Sequence, residues 1–310
     1  MSYHRFAIAG GYVVMKLVLV DGSRSISKLL ASMLEKVGHS VQVFTDGAVA
    51  LDYMMTQPFD VLVTALEICN VNGFDLCAYA RTRNEQGFPT YAIAMSSSQD
   101  TPRIIEALDR GADDFTEKSP RIEELVARLR VAERFLKAQH NLIRLATIDP
   151  LSGLYNRRAF FEEAARSSVV AEATRAPCAF VMLDIDHFKR INDGLGHDAG
   201  DHAIKGVAQI LRQHHARAGR IGGEEFAVFL ADCDEGAAYA CAERLRSLIA
   251  ATPIAIEVQT VSITASFGVA AGRGCHDPYD LYKRADEALY VSKSGGRNRV
   301  SLHEPKEIPA

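Results

Sequence analysis

The sequence predicts an α/β protein with two folded halves joined by a long helix. From residue 16 to residue 118, short apolar segments alternate with segments of helical spacing. After residue 150 both kinds of segment recur, but they no longer alternate one for one. The chain has 310 residues, a length that suits two domains.

The first half contains five strand–helix repeats. Its strand candidates are KLVLV, VQVFT, DVLVTAL, YAIAM and DDFTEK, and helical spacing occupies 26–37, 48–55, 74–81 and 103–109. Such repeats predict a parallel, doubly wound sheet with helices on both faces. Ligands of such folds bind beyond the carboxyl ends of the strands.

A helix almost free of breakers is predicted over residues 121–147. Its seam has 3-4 spacing with one polar position: Ile122, Leu125, Leu129, Ala132, Leu136, Gln139, Ile143 and Ala146. The first part is expected to pack on the sheet as its last helix. Beyond about Arg134 no sheet remains to be covered, so residues 131–147 are predicted to be a coiled-coil-like linker that pairs with another helix.

The second half, after Asp149-Pro150, is predicted to be an α/β sandwich with a mixed sheet. Residues 178–185 and 261–269 have the composition of buried strands, and the segments RI and FAVFL flank the two glycines as arms of a hairpin. Helical spacing follows Asp201 and recurs at residues 285–290. Because strands and helices do not alternate, a purely parallel sheet is not expected.

Bulk composition narrows the function classes. The net charge of -4 provides no general attraction to nucleic acid or to an anionic membrane. Six cysteines without a C-x-x-C pair argue against a zinc site or disulfide framework, and indicate a cytoplasmic protein. No apolar run approaches the roughly 18 residues of a membrane span. Residues 1–14 are expected to be a leader or to reflect start-site ambiguity before Met15, and residues 304–310 a tail.

Carboxylates cluster at two predicted strand ends in the second half. Asp184 and Asp186 follow one buried strand, and Glu224 and Glu225 follow the two glycines of the hairpin. Two adjacent carboxylates repel each other. The simplest explanation for the two glutamates is that they lie in water at the tip of a hairpin and have no catalytic role. Alternatively, the oxygens of Asp184 and one of the glutamates bind Mg²⁺, with water and phosphate completing its shell. The glycines would then let a phosphate chain approach the backbone closely.

Four segments of the second half carry a family resemblance. They are DPLSGLYNRRAF, DIDHFKRINDGLGHDAGD, RIGGEEF and ADEALYVSKSGGRNRV. In this order they resemble the signature segments of the GGDEF family, the diguanylate cyclases, and we expect that domain to span residues 148–303. The resemblance implies a fold similar to nucleotidyl cyclase and polymerase palm domains. It also implies condensation of two GTP to cyclic di-GMP and two pyrophosphates.

The resemblance further implies a metal centre for Mg²⁺ or Mn²⁺. Asp184 and Glu224 would be its carboxylate ligands, and the Ile185 carbonyl a further ligand. Glu225 would lie at the attacking 3'-hydroxyl, as a base or as a ligand of a second metal. Phosphoryl transfer depends mainly on positioning and charge stabilisation, which carboxylate-bound metals and cations supply.

The same resemblance implies the nucleotide contacts. Asn192 and Asp201 would bind the guanine edge, with His197 in the same segment. The triphosphate would be neutralised by Lys189, Lys293 and Arg297 and by backbone amides near His187 and Phe188. A carboxylate at Asp201 accepts from guanine N1–H and N2–H₂, a pair that adenine lacks, so GTP is expected rather than ATP. Taken singly, Lys293 and Arg297 could be a solvated helix end. His197 could be a turn residue, and Asp201 a helix cap.

Two expectations concern assembly and feedback. One domain holds one GTP, whereas the two-fold product needs two, so catalysis is expected across a homodimer formed through the first half of the chain and the linker helix. Many members of the family bind product at an Arg-x-x-Asp site before the glycines. Here that region is LRQHHARAGRIGG, with no Asp between Asp201 and Asp232, so no product-inhibition site is expected.

The first half, residues 15–130, contains VLVDGSRSISKLLASMLEKVGH, GFDLC and RIIEALDRGADDFTEK. These segments resemble response-regulator receiver domains, which implies a flavodoxin-like fold. Asp21 is present, but Gly22 stands where a second acid is usual, and alignment places Ala65 at the phosphoacceptor position. Ser96 and Lys118 hold the remaining switch positions. Alanine offers no oxygen for phosphorylation.

Glu67, two residues beyond Ala65, is a weak substitute acceptor, since it is expected beyond the strand end. The domain is therefore expected to be a dimerisation platform. Alternatively, it senses a partner protein or a small ligand in the vacated pocket. The sequence predicts a diguanylate cyclase regulated without receiver phosphorylation. The other hypothesis is a catalytically inactive protein that binds GTP and acts in signalling.

Overall fold

The structure is a computed structural model of the chain. It describes residues 7–9, 12–97, 101–118, 120–215, 217–256, 259–273 and 277–304. The chain divides into two compact units, Met1–Ile143 and Arg144–Ala310. Among the described helices, none combines the length and apolar character that crossing a bilayer requires.

The first unit contains a five-stranded parallel sheet in the order β4-β3-β5-β6-β7. Its strands are β3 (Lys16–Val20), β4 (Ser40–Phe44), β5 (Val61–Ala65), β6 (Tyr91–Ser96) and β7 (Asp114–Glu117), preceded by the hairpin of β1 (Ala7–Ala9) and β2 (Tyr12–Val14). Its helices are α1 (Arg24–Lys36), α2 (Gly47–Thr56), α3 (Gly73–Glu85), α4 (Thr101–Asp109) and α5 (Ile122–Thr147).

This topology confirms the predicted doubly wound fold. Strands β5 and β6 are buried along their whole length, as expected for a sheet covered on both faces. Two apolar clusters lie on opposite faces, one including Leu19 and Val63 and the other Val20 and Leu62. Helices α1, α2 and α3 begin at the side-chain caps Ser23, Asp46 and Asn72.

Helix α5 changes character along its length. Leu129, Ala132 and Leu136 are buried in the same cluster as β3, β5 and β6. Packing therefore extends slightly beyond Arg134, where the sequence predicts its end. Farther along, the side chains of Leu142 and Leu145 are 61% and 69% exposed. The domain limits and the pairing role of the linker remain predictions.

The second unit contains a mixed sheet in the order β14-β13-β8-β10-β9. Only β13 and β14 are parallel; β8 lies antiparallel between β13 and β10. The strands of this unit are β8 (Pro177–Ile185), β9 (Ala218–Arg220), β10 (Glu225–Ala231), β11 (Ile254–Ile256), β12 (Gln259–Val261), β13 (Ala265–Arg273) and β14 (Val300–Leu302). Strands β11 and β12 form a separate hairpin outside the mixed sheet. Its helices are α6 (Arg157–Thr174), α7 (Phe188–Leu195), α8 (His197–His214), α9 (Glu235–Ala251) and α10 (Pro278–Ser294).

The mixed sheet flanked by helices is confirmed, and two element boundaries differ from the prediction. The predicted strand 261–269 is interrupted, because Val261 pairs with Ile254 in a separate hairpin and β13 begins only at Ala265. The helix expected after Asp201 begins one turn earlier, at His197. Gly196, with φ of 86°, forms the turn between α7 and α8, so the new helix starts directly after it.

Candidate active site

The register of the central strand places two predicted carboxylates side by side. Asp184, near the end of β8, is the partner of Glu225 on β10 and of Ser266 on β13. Residues opposite each other in an antiparallel pair project from the same face of the sheet. The Ile185 amide donates to the Glu224 carbonyl at 3.4 Å, so the hairpin backbone adjoins the strand exit.

The hairpin between β9 and β10 is held by Arg220. Its guanidinium donates to the Gly223 carbonyl from Nε at 3.0 Å and from Nη2 at 2.7 Å, while Nη1 lies 3.1 Å from Asp149 Oδ1. A Cβ on Gly222 would lie 2.6 Å from Glu225 Oε2, whereas one on Gly223 would meet nothing within 4 Å. The first glycine therefore makes room for Glu225, and the second leaves open space beside the turn.

Charge at this edge is unbalanced and partly buried. Asp184 is 8% exposed, and Lys293 Nζ, from the last turn of α10, lies 2.7 Å from its Oδ2. Burial raises the pKa of Asp184 to about 6; Lys293 opposes that rise, and the charges of Glu224 and Glu225 add to it. One ammonium therefore does not compensate the three carboxylates.

This donor set suits a divalent cation. The expected ligands comprise only two carboxylates, Asp184 and Glu224, together with the Ile185 carbonyl. Accordingly, no group of three or more His, Cys, Asp and Glu side chains surrounds one metal position among the described residues. Hard oxygen donors with excess negative charge are what Mg²⁺ and Mn²⁺ select. Two protein carboxylates would leave coordination positions for phosphate and water.

Asn192, one of the predicted guanine contacts, lies where α7 packs on α8. Asn192 Oδ1 is buried and has no hydrogen-bond partner among the described residues. A Cβ on Gly200 would lie only 2.0 Å from that oxygen. The amide of Asn192 therefore rests against the α8 backbone directly before Asp201. Gly200 lies within the motif DIDHFKRINDGLGHDAGD but has no sequence signal of its own, and only the three-dimensional contact reveals it.

The remaining predicted nucleotide residues lie around the start of α7, the start of α8 and the end of α10. His187, with φ of 57°, is the N-terminal cap residue of α7, and Phe188 is half-buried in the first turn. The side chains of Lys189, His197 and Arg297 are exposed. The structure thus connects Lys293 to Asp184 by a direct contact, whereas Lys189, His197 and Arg297 lie near this region without a contact to these carboxylates among the described residues.

Asp186 is a further residue of this region to which the sequence assigns no role. It is 5% exposed and accepts three hydrogen bonds. Oδ2 accepts from Thr264 Oγ1 at 2.6 Å and from the Asn298 amide at 3.0 Å, and Oδ1 accepts from Ser266 Oγ at 2.6 Å. The D-x-D spacing with Asp184 was its only sequence signal.

In the first unit, Asp21, Ala65, Ser96 and Lys118 lie at the carboxyl ends of β3, β5, β6 and β7. Asp21 is fully buried; its Oδ1 accepts from the Ser23 amide at 2.7 Å and lies 3.8 Å from Lys118 Nζ. Its Oδ2 has no hydrogen-bond partner among the residues described. Thus Asp21 and Lys118 are both present in this region, while position 65 holds a buried alanine.

Glu67 lies two residues beyond the end of β5, as predicted from the sequence. Its exposed side chain pairs with Arg103 Nη1 at 2.5 Å. Arg103, with a smaller effect from Lys118, lowers the pKa of Glu67. Engagement with Arg103 disfavours Glu67 as a substitute acceptor.

Comparison with known proteins agrees with this geometry. Residues 146–299 match the family model described as "Diguanylate cyclase, GGDEF domain", and residues 17–130 match the response regulator receiver domain. The chain is 32% identical over 258 residues to the response regulator PleD of Caulobacter vibrioides, covering 78% of this chain and 56% of PleD. It is 38% identical over 198 residues to the diguanylate cyclase DgcP of Pseudomonas aeruginosa, covering 62% of this chain and 30% of DgcP.

A solved structure is also similar. The coiled coil and GGDEF domain of DgcB from Caulobacter crescentus, in complex with c-di-GMP, aligns with a TM-score of 0.54 and 33% identity. That alignment covers 58% of this chain and 97% of the DgcB chain. The chain spans about half, or less, of the length of the curated relatives named above. The chain belongs to the GGDEF family and carries a response regulator receiver domain ahead of its GGDEF domain.

Proposed function

We propose that this protein is a diguanylate cyclase, which condenses two GTP molecules into cyclic di-GMP and releases two pyrophosphates. The observation that carries the proposal is the register pairing of Asp184 with Glu225, with Lys293 Nζ 2.7 Å from Asp184. Carboxylates and a cation converge at one sheet edge, and phosphoryl transfer is catalysed chiefly by such charge positioning.

In each of the two transfers, the 3'-oxygen of one GTP bonds to the α-phosphorus of the other. The bond from that phosphorus to the bridging oxygen breaks, and pyrophosphate leaves with its electron pair. Glu225 accepts the proton of the 3'-hydroxyl. Asp184, Glu224 and the Ile185 carbonyl would hold a divalent cation, which would supply charge neutralisation at the triphosphate.

Protein cations and amides bind the rest of the triphosphate. Lys189, Lys293 and Arg297 contribute positive charge, and the backbone amides at His187 and Phe188 open α7, where amides point outward. Asn192 and Asp201 bind the guanine edge, with His197 beside them at the start of α8. The carboxylate of Asp201 favours GTP over ATP because adenine cannot donate the matching pair of hydrogen bonds.

The two active sites meet across a homodimer formed through the receiver domain and α5. The exposed Leu142 and Leu145 support this assembly, since an apolar helix surface is stabilised by burial against a second copy.

The receiver regulates this dimer without phosphorylation, because alanine occupies the acceptor position at residue 65. A partner protein or small ligand at that pocket is the alternative input. We place the protein in the cytoplasm.

The decisive experiment incubates the purified full-length chain with GTP and Mg²⁺, without a phosphodonor, and separates the products by chromatography. Cyclic di-GMP well beyond one equivalent per chain is the expected result, and a Glu225→Gln variant should form almost none. A folded, dimeric wild-type sample that binds GTP and forms no product would contradict the proposal. That outcome would favour a catalytically inactive GTP-binding signalling protein.

A further inference from the structure

Asp186 joins three segments that are distant in the sequence. Its backbone amide donates to the Thr264 carbonyl at 2.9 Å, and its carboxylate accepts from the side chains of Thr264 and Ser266 before β13 and within it. The remaining bond comes from the Asn298 amide, 112 residues away in sequence. A nearly buried carboxylate whose oxygens both act as acceptors is a rigid anchor for these donors.

The Asn298 amide belongs to a turn with an unusual backbone. Gly296, Arg297 and Asn298 have φ values of 110°, 62° and 44°, so three consecutive residues adopt positive φ. Residues other than glycine seldom adopt this region, and they persist there only when the surrounding structure holds them. Asp186 holds the turn through the Asn298 amide, and Arg246 Nη1 holds it through Asn298 Oδ1 at 2.9 Å.

This turn adjoins the metal carboxylates. Lys293, one turn before it on α10, lies 2.7 Å from Asp184, and Asp186 follows Asp184 by two residues. Arg297 sits in the turn with its side chain exposed, and the conformation of the turn decides where that side chain is directed. A free arginine on a mobile turn would pay a larger entropic cost on binding a ligand than one on a fixed turn.

We propose that Asp186 is a positioning residue: its bond to the Asn298 amide fixes the turn so that Arg297 engages the triphosphate of a bound nucleotide. It contributes to triphosphate affinity through Arg297 rather than as a metal ligand. This inference rests on the proposed function only in taking a guanosine triphosphate as the ligand.

The test measures binding to the full-length protein in the presence of Mg²⁺, with two probes that cannot be condensed. 3'-Deoxy-GTP carries the triphosphate but lacks the attacking hydroxyl, and GMP lacks the outer phosphates. In Asp186→Ala, affinity for 3'-deoxy-GTP should fall about tenfold, the order expected for loss of a bond that orients a charged contact. Affinity for GMP should stay within about twofold. An equal loss for both probes overturns the inference.

A conservative variant should rescue the effect. In Asp186→Asn, the amide oxygen can still accept from Asn298, and the amide nitrogen can donate to the Ser266 hydroxyl. Its 3'-deoxy-GTP affinity should therefore lie within about threefold of the wild type. If Asp186 were a metal ligand, Asp186→Asn would lose as much affinity for 3'-deoxy-GTP as Asp186→Ala.

A double-mutant cycle separates action through Arg297 from independent action. Arg297→Ala should weaken 3'-deoxy-GTP binding, and adding Asp186→Ala should produce almost no further loss. Additive losses would overturn the inference, because they would mean that Asp186 acts by another route. Asp277→Ala is the matched control, since it removes a carboxylate that accepts from the Tyr279 amide at the opposite end of α10. That control should keep both affinities.

If Asp186→Ala does not fold, Asn298→Gly decides the question. It loosens the same turn without altering the buried acid, because glycine is freer and the bond to Arg246 is lost. Unchanged 3'-deoxy-GTP affinity in that variant overturns the inference. Wild-type protein that binds 3'-deoxy-GTP but never condenses GTP refutes the proposed function alone, and the cycle still decides the role of Asp186.

Discussion

At the scale of single residues, the Asp184 carboxyl group is held in an environment that disfavours its charge. Its pKa is raised to about 6, mainly by burial. An acid whose pKa is higher in the folded state contributes most stability below its unfolded pKa, and loses that contribution as pH rises through the folded value. At neutral pH the metal-free fold therefore bears an electrostatic cost at the position where a cation would bind.

Replacing Asp184 should consequently stabilise the metal-free protein. We expect Asp184→Asn to raise the free energy of unfolding by about 1–3 kcal/mol at pH 7.5, the scale of a shift of about two pKa units. The gain should shrink towards pH 5, where the wild-type acid is largely protonated. Urea unfolding with a chelator at both pH values measures this. A gain that is absent at pH 7.5, or equal at both, would show that burial of the charge is not the cause.

A second residue-scale prediction concerns Gly200. In Gly200→Ala the new methyl group would lie 2.0 Å from Asn192 Oδ1 and would displace that amide. The KM for GTP should rise about tenfold, as expected for a lost hydrogen bond to the base, and the preference for GTP over ATP should narrow. Initial-rate kinetics with both nucleotides provide the measurement.

Gly194→Ala is the control for that experiment. It adds the same methyl group on α7, where a Cβ would meet nothing within 4 Å. Its KM for GTP should match the wild type. If Gly200→Ala leaves KM and nucleotide preference unchanged, the contact with Asn192 has no bearing on guanine recognition.

At the scale of secondary-structure elements, helix α5 combines a buried seam with exposed leucines near its end, which lie beside the seam rather than in it. Leu136 is fully buried, whereas Leu142 is 61% exposed six residues later. Burying a leucine stabilises an interface by about 1.5–3 kcal/mol. Substitutions in the exposed part of this helix therefore test the proposed dimer most directly.

Leu142→Glu should weaken the dimer at least tenfold, by loss of apolar burial and by repulsion between copies. Cyclase activity per chain should then depend on protein concentration over a range where the wild type shows no such dependence. Analytical ultracentrifugation and rate measurements on dilution give the two readouts. Asn141→Glu adds the same charge to the neighbouring exposed position and should preserve the dimer. Equal dimer stability in the two variants would exclude the helix surface at Leu142 as part of the dimer interface.

Elements and their order were predictable because periodicity and breakers are local signals. The strand exit at Asp184 and the Gly-Gly hairpin before Glu225 could be assigned to one sheet edge from the sequence, and the register agrees. The contact of Gly200 with Asn192 could not, because it depends on how two helices cross. The bond from Asn298 to Asp186 likewise depends on chain closure across 112 residues, which no local pattern encodes.

At the scale of the whole molecule, a receiver fold is retained while its acceptor position is alanine. The unmodified chain should therefore take no label from acetyl phosphate, and its cyclase rate should not respond to that donor. Ala65→Asp should gain labelling, since Asp21 and Lys118 remain in place, while Ala65→Asn, of similar size, should not. Labelling of the unmodified chain would contradict phosphorylation-independent regulation and would direct attention to Glu67.

The order of the second sheet also has a consequence for dynamics. Strand β8 is central and carries Asp184 with a bonded neighbour on each side, whereas α7, the turn between β9 and β10 and the turn at Arg297 lie outside that ladder. Amide protons of β8 should exchange with deuterium only when the whole unit unfolds, and those of α7 through local opening. The proposed metal carboxylate thus lies on the strand that is expected to exchange most slowly, whereas the proposed nucleotide-binding groups of α7 lie on an element that is expected to exchange faster.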